Sequence, residues 1–415
     1  MKVLIATGVY YPVTNGVAVF SHNLASGLVK RGVDVTVLTP SRNGKNYTEM
    51  QDGVRVVYLK STKVWFYPDQ ISPVPAKKKI FGKEMPHLVY KNGFRISVFP
   101  QRQVIKIMKE IQPDVVHVQV SDVIGLSVVG YARKHHIPVV TTEHNQPEVI
   151  VEQIKMLRLV RKPMNAILMA YFRNCHRRSD FVTMPTAKSI HNFLAGRKFE
   201  VPIAAVSNGV DLSNFRPGKA SAEFYQKYGI PTDRKIVLYV GRVDPEKKVG
   251  AVLESFRSVV ETVPEAFLLV VGDGTDRLRL EKKAVEFGIG NSVKFLGKVM
   301  PPDLYEIYKV GDVFVTASEI ETQGIVLVEA AATGLPLVAV DKGAVSEICQ
   351  SGKNGYLCQP GDVAEMSEAI VKILTDDKKR AEFAKNSIKL AGEHDFEKTL
   401  DQFVNIYKKV ISSKK

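Results

Sequence analysis

Acidic residues are scarce in the first half of this chain: residues 1–198 hold 12 Asp+Glu against 29 Lys+Arg, whereas residues 199–415 hold 31 against 29. The formal net charge of +15 therefore arises entirely in the N-terminal half. Charge that is so one-sided marks a surface that meets an anion, be it an acidic membrane, a nucleic acid or a charged substrate. Cysteine is rare as well. Cys175, Cys349 and Cys358 lie far apart with no CxxC pair, so neither a disulfide framework nor a metal site is expected, and the thiols read as reduced residues of a cytoplasmic protein. Long apolar runs are missing too, and a membrane-spanning helix needs about 20 such residues. The opening MKVLIATGVYYP has one lysine before a short apolar run, which reads as a buried strand rather than a signal peptide. The turn after that strand lacks GxGxxG, which disfavours a dinucleotide-dependent oxidoreductase. No DNA- or RNA-binding motif is present and the basic residues are not interleaved with stacking aromatics, so no nucleic-acid partner is expected and a non-catalytic basic nucleotide-binding protein is disfavoured.

What is present is a regular alternation of short apolar runs and longer amphipathic stretches. Strands are predicted over 2–7, 34–38, 115–118 and 138–142, with helices over 16–31, 104–111 and 126–135 and an irregular stretch between 38 and 104. The same alternation restarts near Lys235, with strands in IVLYVGR, AFLLVVGDG, SVKFLG, VFVTAS and PLVAV and helices over 249–262 and 277–287. Strands separated by helices imply parallel βαβ crossovers. Two α/β units joined near residues 196–234 are expected, each a doubly wound sheet whose ligands sit beyond the carboxyl ends of the strands. Residues 396–410 carry apolar positions at helical spacing and read as a closing helix.

The densest chemical signal is VFVTASEIETQGIVLVEAAATGLPLVAV, residues 313–340. It reads strand, loop, helix, strand, with Glu321 before the helix and Glu329 two turns inside it. Gln323, Gly324 and Ile325 place backbone N–H groups at the helix N-terminus, which carries positive partial charge and suits a phosphate. GRVDPEKK supplies Arg242 and Lys247 after another strand, two cations that can neutralise a departing diphosphate in place of a divalent metal. Gly272 and Gly274 in GDG permit close backbone approach to a flat base. In the first unit Gly16 opens a helix that can meet a phosphate, and His144 in TTEHN follows a strand, where it can contact a sugar hydroxyl or an acceptor.

Taken in order, the turn NGV, the linker SNGVDLSNF, GRVDPEKK, VGDG and the E-x7-E pair Glu321/Glu329 resemble the retaining nucleotide-sugar glycosyltransferases of family 4 over nearly the whole chain. The resemblance implies the GT-B architecture, two Rossmann-like domains facing across a cleft. The expected divisions are an acceptor-side domain over 1–198, a nucleotide-sugar domain over 199–393, and a helix over 394–415 that crosses back to the first domain. It implies that Arg242 and Lys247 bind the diphosphate and that Glu329 binds ribose hydroxyls. Glu321, with the backbone at Gln323–Ile325, would hold the donor sugar, Gly16 would lie near the diphosphate, and His144 near the reacting sugar. Such enzymes are thought to retain configuration by front-side attack, and no carboxylate here stands out as a covalent nucleophile. No cofactor and no strictly required metal are expected.

Two basic segments point to the acceptor. Lys77, Lys78 and Lys79 follow an aromatic patch at Trp65, Phe66 and Tyr67. Lys155, Arg158 and Lys162 fall on one helical face of a stretch running to Arg178, with a second apolar helix expected after Pro163. A basic amphipathic segment can lie in an anionic lipid interface. The layout also looks like the diacylglycerol glucosyltransferase branch of the family. That implies UDP-glucose as donor, a diacylglycerol or glycolipid hydroxyl as acceptor, and peripheral attachment to the inner face of the cell membrane. The alternative is a GDP-mannose-dependent α-mannosyltransferase acting on phosphatidylinositol or a polyprenyl-linked glycan.

Overall fold

A computed structural model describes all residues except 14, 65–72, 81–82, 91–93, 145–146, 154–158 and 415. The chain divides into two compact units, residues 1–206 with 400–415, and residues 207–399.

The first unit is built on an eight-stranded sheet in the order Ile203–Ala205, Phe181–Met184, Val139–Thr142, Val115–Val118, Lys2–Ala6, Asp34–Pro40, Val54–Leu59, Tyr47–Gln51. All neighbours are parallel except the last pair. The central strands are buried almost along their length because helices cover the sheet, which explains why they are rich in Val, Ile and Leu. Part of the stretch expected to be irregular joins this sheet. Tyr47–Gln51 and Val54–Leu59 form an antiparallel hairpin closed by Asp52 and Gly53, both at positive φ (47° and 79°). An Asp-Gly turn of this kind matches strand twist, and it was the available signal in EMQDGVRVVYL. Pro73–Ile80, the strand holding Lys77, Lys78 and Lys79, pairs antiparallel with Lys83–Tyr90.

Helix Gly16–Lys30 is capped by Asn15, whose side chain accepts from the Ala18 amide at 2.8 Å. The last helix, Phe396–Ser412, completes this unit with most of its length. Leu400, Phe403, Tyr407 and Val410 recur at helical spacing and are buried. Phe403 packs on Phe20 and on His117, and Arg31 and Asp180 receive Asp401 and Lys414 in ion pairs of 2.6 and 2.8 Å.

The second unit holds a six-stranded parallel sheet in the order Val293–Gly297, Ala266–Val271, Lys235–Val240, Val313–Thr316, Leu337–Val340, Gly355–Cys358. Alternate residues of one strand enter opposite cores. Ile236, Leu238 and Val240 pack with helix Ile325–Ala332, while Val237 and Tyr239 pack with helices Val249–Thr262 and Val363–Thr375. Sequence order reverses between Lys235–Val240 and Val313–Thr316, which are neighbours. The helices that follow these two strands pack on opposite faces of the sheet, the arrangement that in open α/β sheets places ligands beyond the carboxyl ends of the strands.

Candidate active site

At that reversal point the structure assembles the groups expected from the sequence. Lys247 follows the strand Lys235–Val240, and its Nζ lies 2.6 Å from Glu321 Oε1, which follows Val313–Thr316. Both side chains are mostly shielded from solvent. Arg242 is held by its own turn: one Nη donates to Asp244 at 2.5 Å and the other to Glu246 at 2.6 Å. Each expected diphosphate cation thus already has a carboxylate partner, and a bound diphosphate must compete with Glu321 and with the Asp244/Glu246 pair. Lys248 and Lys342 both contact Glu319, two residues before Glu321, at 2.6 and 3.3 Å.

Glu321 is fixed through its backbone. Its carbonyl accepts from Ala344 N at 3.2 Å, and Gly343, at φ 64°, passes so close that a Cβ there would sit 3.0 Å from the Glu321 oxygen. Gly324 takes φ 78° as it turns the chain into helix Ile325–Ala332, a conformation that glycine adopts without strain. Glu329 is the fifth residue of that helix, one turn in rather than two. It is half-buried, and the Tyr308 hydroxyl donates to it at 2.5 Å. Burial pushes its carboxyl up from 4.5 to about 7, against the opposing effect of the Tyr308 hydrogen bond.

Gln323 does something the sequence did not reveal. Its side chain accepts from Asn208 N at 2.9 Å and donates to Ser207 Oγ at 2.6 Å, so it ties the site loop to the SNG segment. Ser207 also meets His394 Nδ1 at 3.0 Å. Gly209, at φ 69°, leaves no room for a side chain: its Cβ would lie 2.6 Å from Thr399 Oγ1 and 2.7 Å from the Phe396 Cα.

The glycines of GDG also carry a packing role that the sequence did not reveal. A Cβ on Gly272 would fall 1.7 Å from the Gly241 oxygen, and one on Gly274 would fall 2.3 Å from the Val243 oxygen. They allow the GDG turn to lie directly on the GRVD turn, and Asp244 locks the two by accepting from the Thr275 amide and hydroxyl at 2.8 and 3.0 Å. Close approach is thus between two pieces of backbone, which aligns Arg242.

In the first unit the carboxyl ends of Lys2–Ala6, Val115–Val118 and Val139–Thr142 gather a second group. Gly16 opens its helix with open space where a Cβ would be. His144 is 8% exposed, rests against Phe20, and its Nε2 lies 2.7 Å from Gln119 Oε1. Burial holds its pKa down at about 3, so the ring is neutral. Asp122, capping helix Val123–Lys134 through the Gly125 amide at 2.8 Å, is pushed up to about 6 by burial.

Of the basic residues, Lys155 and Arg158 lie outside the described residues. Lys162 is exposed near the start of helix Arg161–His176, which begins two residues before Pro163 rather than after it. One face of that helix packs inward through Phe172, Cys175 and His176. Ile167 and Tyr171 remain 60% and 40% exposed, and the preceding Leu159 is 92% exposed. Among the described residues, no group of three or more His, Cys, Asp or Glu could hold a metal ion. No described helix is long and apolar enough to cross a membrane.

Residues 14–214 match the family described as Glycosyltransferase Family 4, and residues 221–390 match Glycosyl transferases group 1. The chain belongs to glycosyltransferase family 4. It is a glycosyltransferase of the GT-B fold. It is similar to an alpha-monoglucosyldiacylglycerol synthase of Acholeplasma laidlawii, 27% identical over 86% of this chain and 84% of that one. The sulfoquinovosyl transferase SQD2 of Arabidopsis thaliana is 30% identical over 73% of this chain and 58% of its own length. Among solved structures, a sucrose-phosphate synthase of Thermosynechococcus elongatus superposes over the whole of both chains with a TM-score of 0.75 at 18% identity. Anabaena HepE in complex with UDP gives 0.71 at 19% identity, over 99% of this chain and 100% of that one.

Sequence reasoning missed Asp244, Glu246, Tyr308, Gln119 and the anchoring use of Gln323 in this glycosyltransferase. Asp244 and Glu246 stand inside the GRVDPEKK motif and were available as partners for Arg242. Tyr308 and Gln119 are placed only by the fold.

Proposed function

We propose that this glycosyltransferase moves a hexose, glucose from UDP-glucose in the first instance, with retention of the α configuration onto a diacylglycerol or glycolipid hydroxyl at an anionic membrane surface. The observation that carries the reading is the Lys247–Glu321 contact at the point where strand order reverses, with Glu329 one turn into the adjoining helix. In this reading the diphosphate draws Lys247 and Arg242 onto its oxygens, and Glu321, released from Lys247, accepts hydrogen bonds from the donor sugar. Glu329 accepts from the ribose hydroxyls. The acceptor oxygen bonds to the anomeric carbon on the face from which the β-phosphate oxygen departs, and its proton passes to that phosphate oxygen. The cations and the amides at the start of helix Ile325–Ala332 stabilise the charge that accumulates on the leaving diphosphate.

The lipid acceptor is supported by the names of the relatives, two of which, from Acholeplasma laidlawii and Streptococcus pneumoniae, are alpha-monoglucosyldiacylglycerol synthases at 27% and 28% identity. Membrane contact is supported by apolar Leu159, Ile167 and Tyr171 lying exposed among exposed Arg161, Lys162, Arg177 and Arg178. Chemistry without a metal is supported by the two protein cations at the expected diphosphate.

A panel of UDP- and GDP-sugars, read first by hydrolysis and then with diacylglycerol vesicles, tests the reading. UDP-glucose should be turned over, transfer should persist in EDTA, and the product should carry an α linkage. Lys247→Ala should lower turnover by about 100-fold or more, the scale for losing one charge-stabilising donor. Wild-type turnover in that variant, or a donor outside the panel's uridine arm, would overturn it.

A further inference from the structure

We propose that Tyr407 on the closing helix and His117 are positioning residues for His144, acting through Gln119. The inference rests on His144 belonging to the reacting site. Its physical basis lies wholly within the first unit.

His117 is fully buried, and a hydroxyl meets each of its ring nitrogens: Tyr407 at Nδ1 and Thr142 at Nε2, both 2.7 Å away. A neutral imidazole offers one N–H and one lone pair, so one hydroxyl must donate to the ring and the other must accept from it. Thr142 is itself held by Thr183 at 2.6 Å. The Gln119 amide nitrogen lies 3.2 Å from the His117 ring nitrogens, which turns its carbonyl oxygen toward His144 Nε2 at 2.7 Å. A carbonyl only accepts. His144 therefore carries its proton on Nε2, and Nδ1 is its basic nitrogen. Phe403, one turn before Tyr407, packs on the His117 ring and on Phe20, and Phe20 packs on His144. The closing helix thus reaches His144 by a polar route and by an aromatic one.

A phenylalanine at 407 would fill nearly the same volume without a polar atom to satisfy, so packing alone does not call for the hydroxyl. The hydroxyl fixes the donor and acceptor sense of His117, and the crowded, fully engaged ring fixes the Gln119 amide.

The test uses full-length Tyr407→Phe, His144→Ala and the double variant, with 15N-labelled histidine and the sugar nucleotide turned over in the panel above. In the wild type, His144 signals, assigned by their loss in His144→Ala, should report one neutral Nε2–H form between pH 5.5 and about 8. In Tyr407→Phe they should broaden or mix tautomers, while melting temperature stays within a few degrees. Turnover should fall about tenfold at unchanged donor KM, and the double variant should be no slower than His144→Ala alone. An unaltered His144 spectrum in Tyr407→Phe, or losses that multiply in the double variant, overturns the positioning role. Wild-type turnover in His144→Ala instead removes His144 from the reaction, and the proposal falls with that separate assignment.

Discussion

The carboxylates at the site differ in what they cost the protein. Glu329 is shifted from 4.5 to about 7 by burial. A carboxyl whose pKa rises on folding binds more protons in the folded state, so its contribution to stability is greatest at low pH and is lost as pH rises from about 4.5 to about 7. Glu329→Gln should therefore stabilise the ligand-free protein at pH 8 by about 1–3 kcal/mol in urea unfolding, the range that follows from a shift of this size. It should also weaken UDP binding, and wild-type UDP affinity should climb between pH 6 and 8 as Glu329 ionises; calorimetric titration across that window checks both. Glu321 pairs with Lys247 instead. Glu321→Gln removes the carboxylate that competes with the diphosphate, so UDP should bind several-fold more tightly while turnover falls by about 100-fold. Weaker UDP binding in that variant would show that Glu321 does not compete for Lys247. Residue identities were legible in the motifs, because charge and glycine at strand ends have few uses. Their partners were not: nothing in the chain announces that Tyr308 serves Glu329 or that Gln323 ties down Ser207.

At the scale of elements, periodicity located most of the buried strands and their helices, with Val115–Val118 and Val249–Thr262 recovered residue for residue, but it passed over the buried Val54–Leu59 and Phe181–Met184. It failed where strands are partly exposed: Tyr47–Gln51 alternates half-buried and exposed positions and has little apolar signal. The glycine turns were seen, but their packing on another turn was not. Gly272→Ala places a Cβ 1.7 Å from a backbone oxygen, so the two turns must separate. A loss of about 2–4 kcal/mol is expected in chemical unfolding, with UDP affinity falling alongside as Arg242 loses its alignment. The helix Arg161–His176 presents the complementary case, an element with apolar residues turned outward. Leu159→Glu with Ile167→Glu should leave stability within about 0.5 kcal/mol, because both side chains lie mostly in solvent, and should sharply reduce flotation with anionic vesicles. Undiminished flotation would move the membrane contact elsewhere on the basic half.

For the whole molecule, the charge division follows the structural one. The basic excess belongs to the part of the chain that carries His144 and the exposed apolar residues, while the near-neutral part carries the expected donor groups. Vesicle binding should therefore weaken steeply as salt rises from about 50 to about 300 mM, whereas UDP affinity should change far less, because Lys247 is mostly shielded from solvent; parallel titrations at the two salt concentrations separate these responses. The two-unit division was visible in the repeated βα pattern, and the family resemblance implied a helix crossing back; what periodicity alone could not show is that residues 400–415 fill the first unit with five buried side chains. That arrangement bears on synthesis. Residues 1–206 leave the ribosome well before residues 400–415, so Phe20 and His117 lack their Phe403 cover until that helix emerges, and the second unit can close while the first still waits for it.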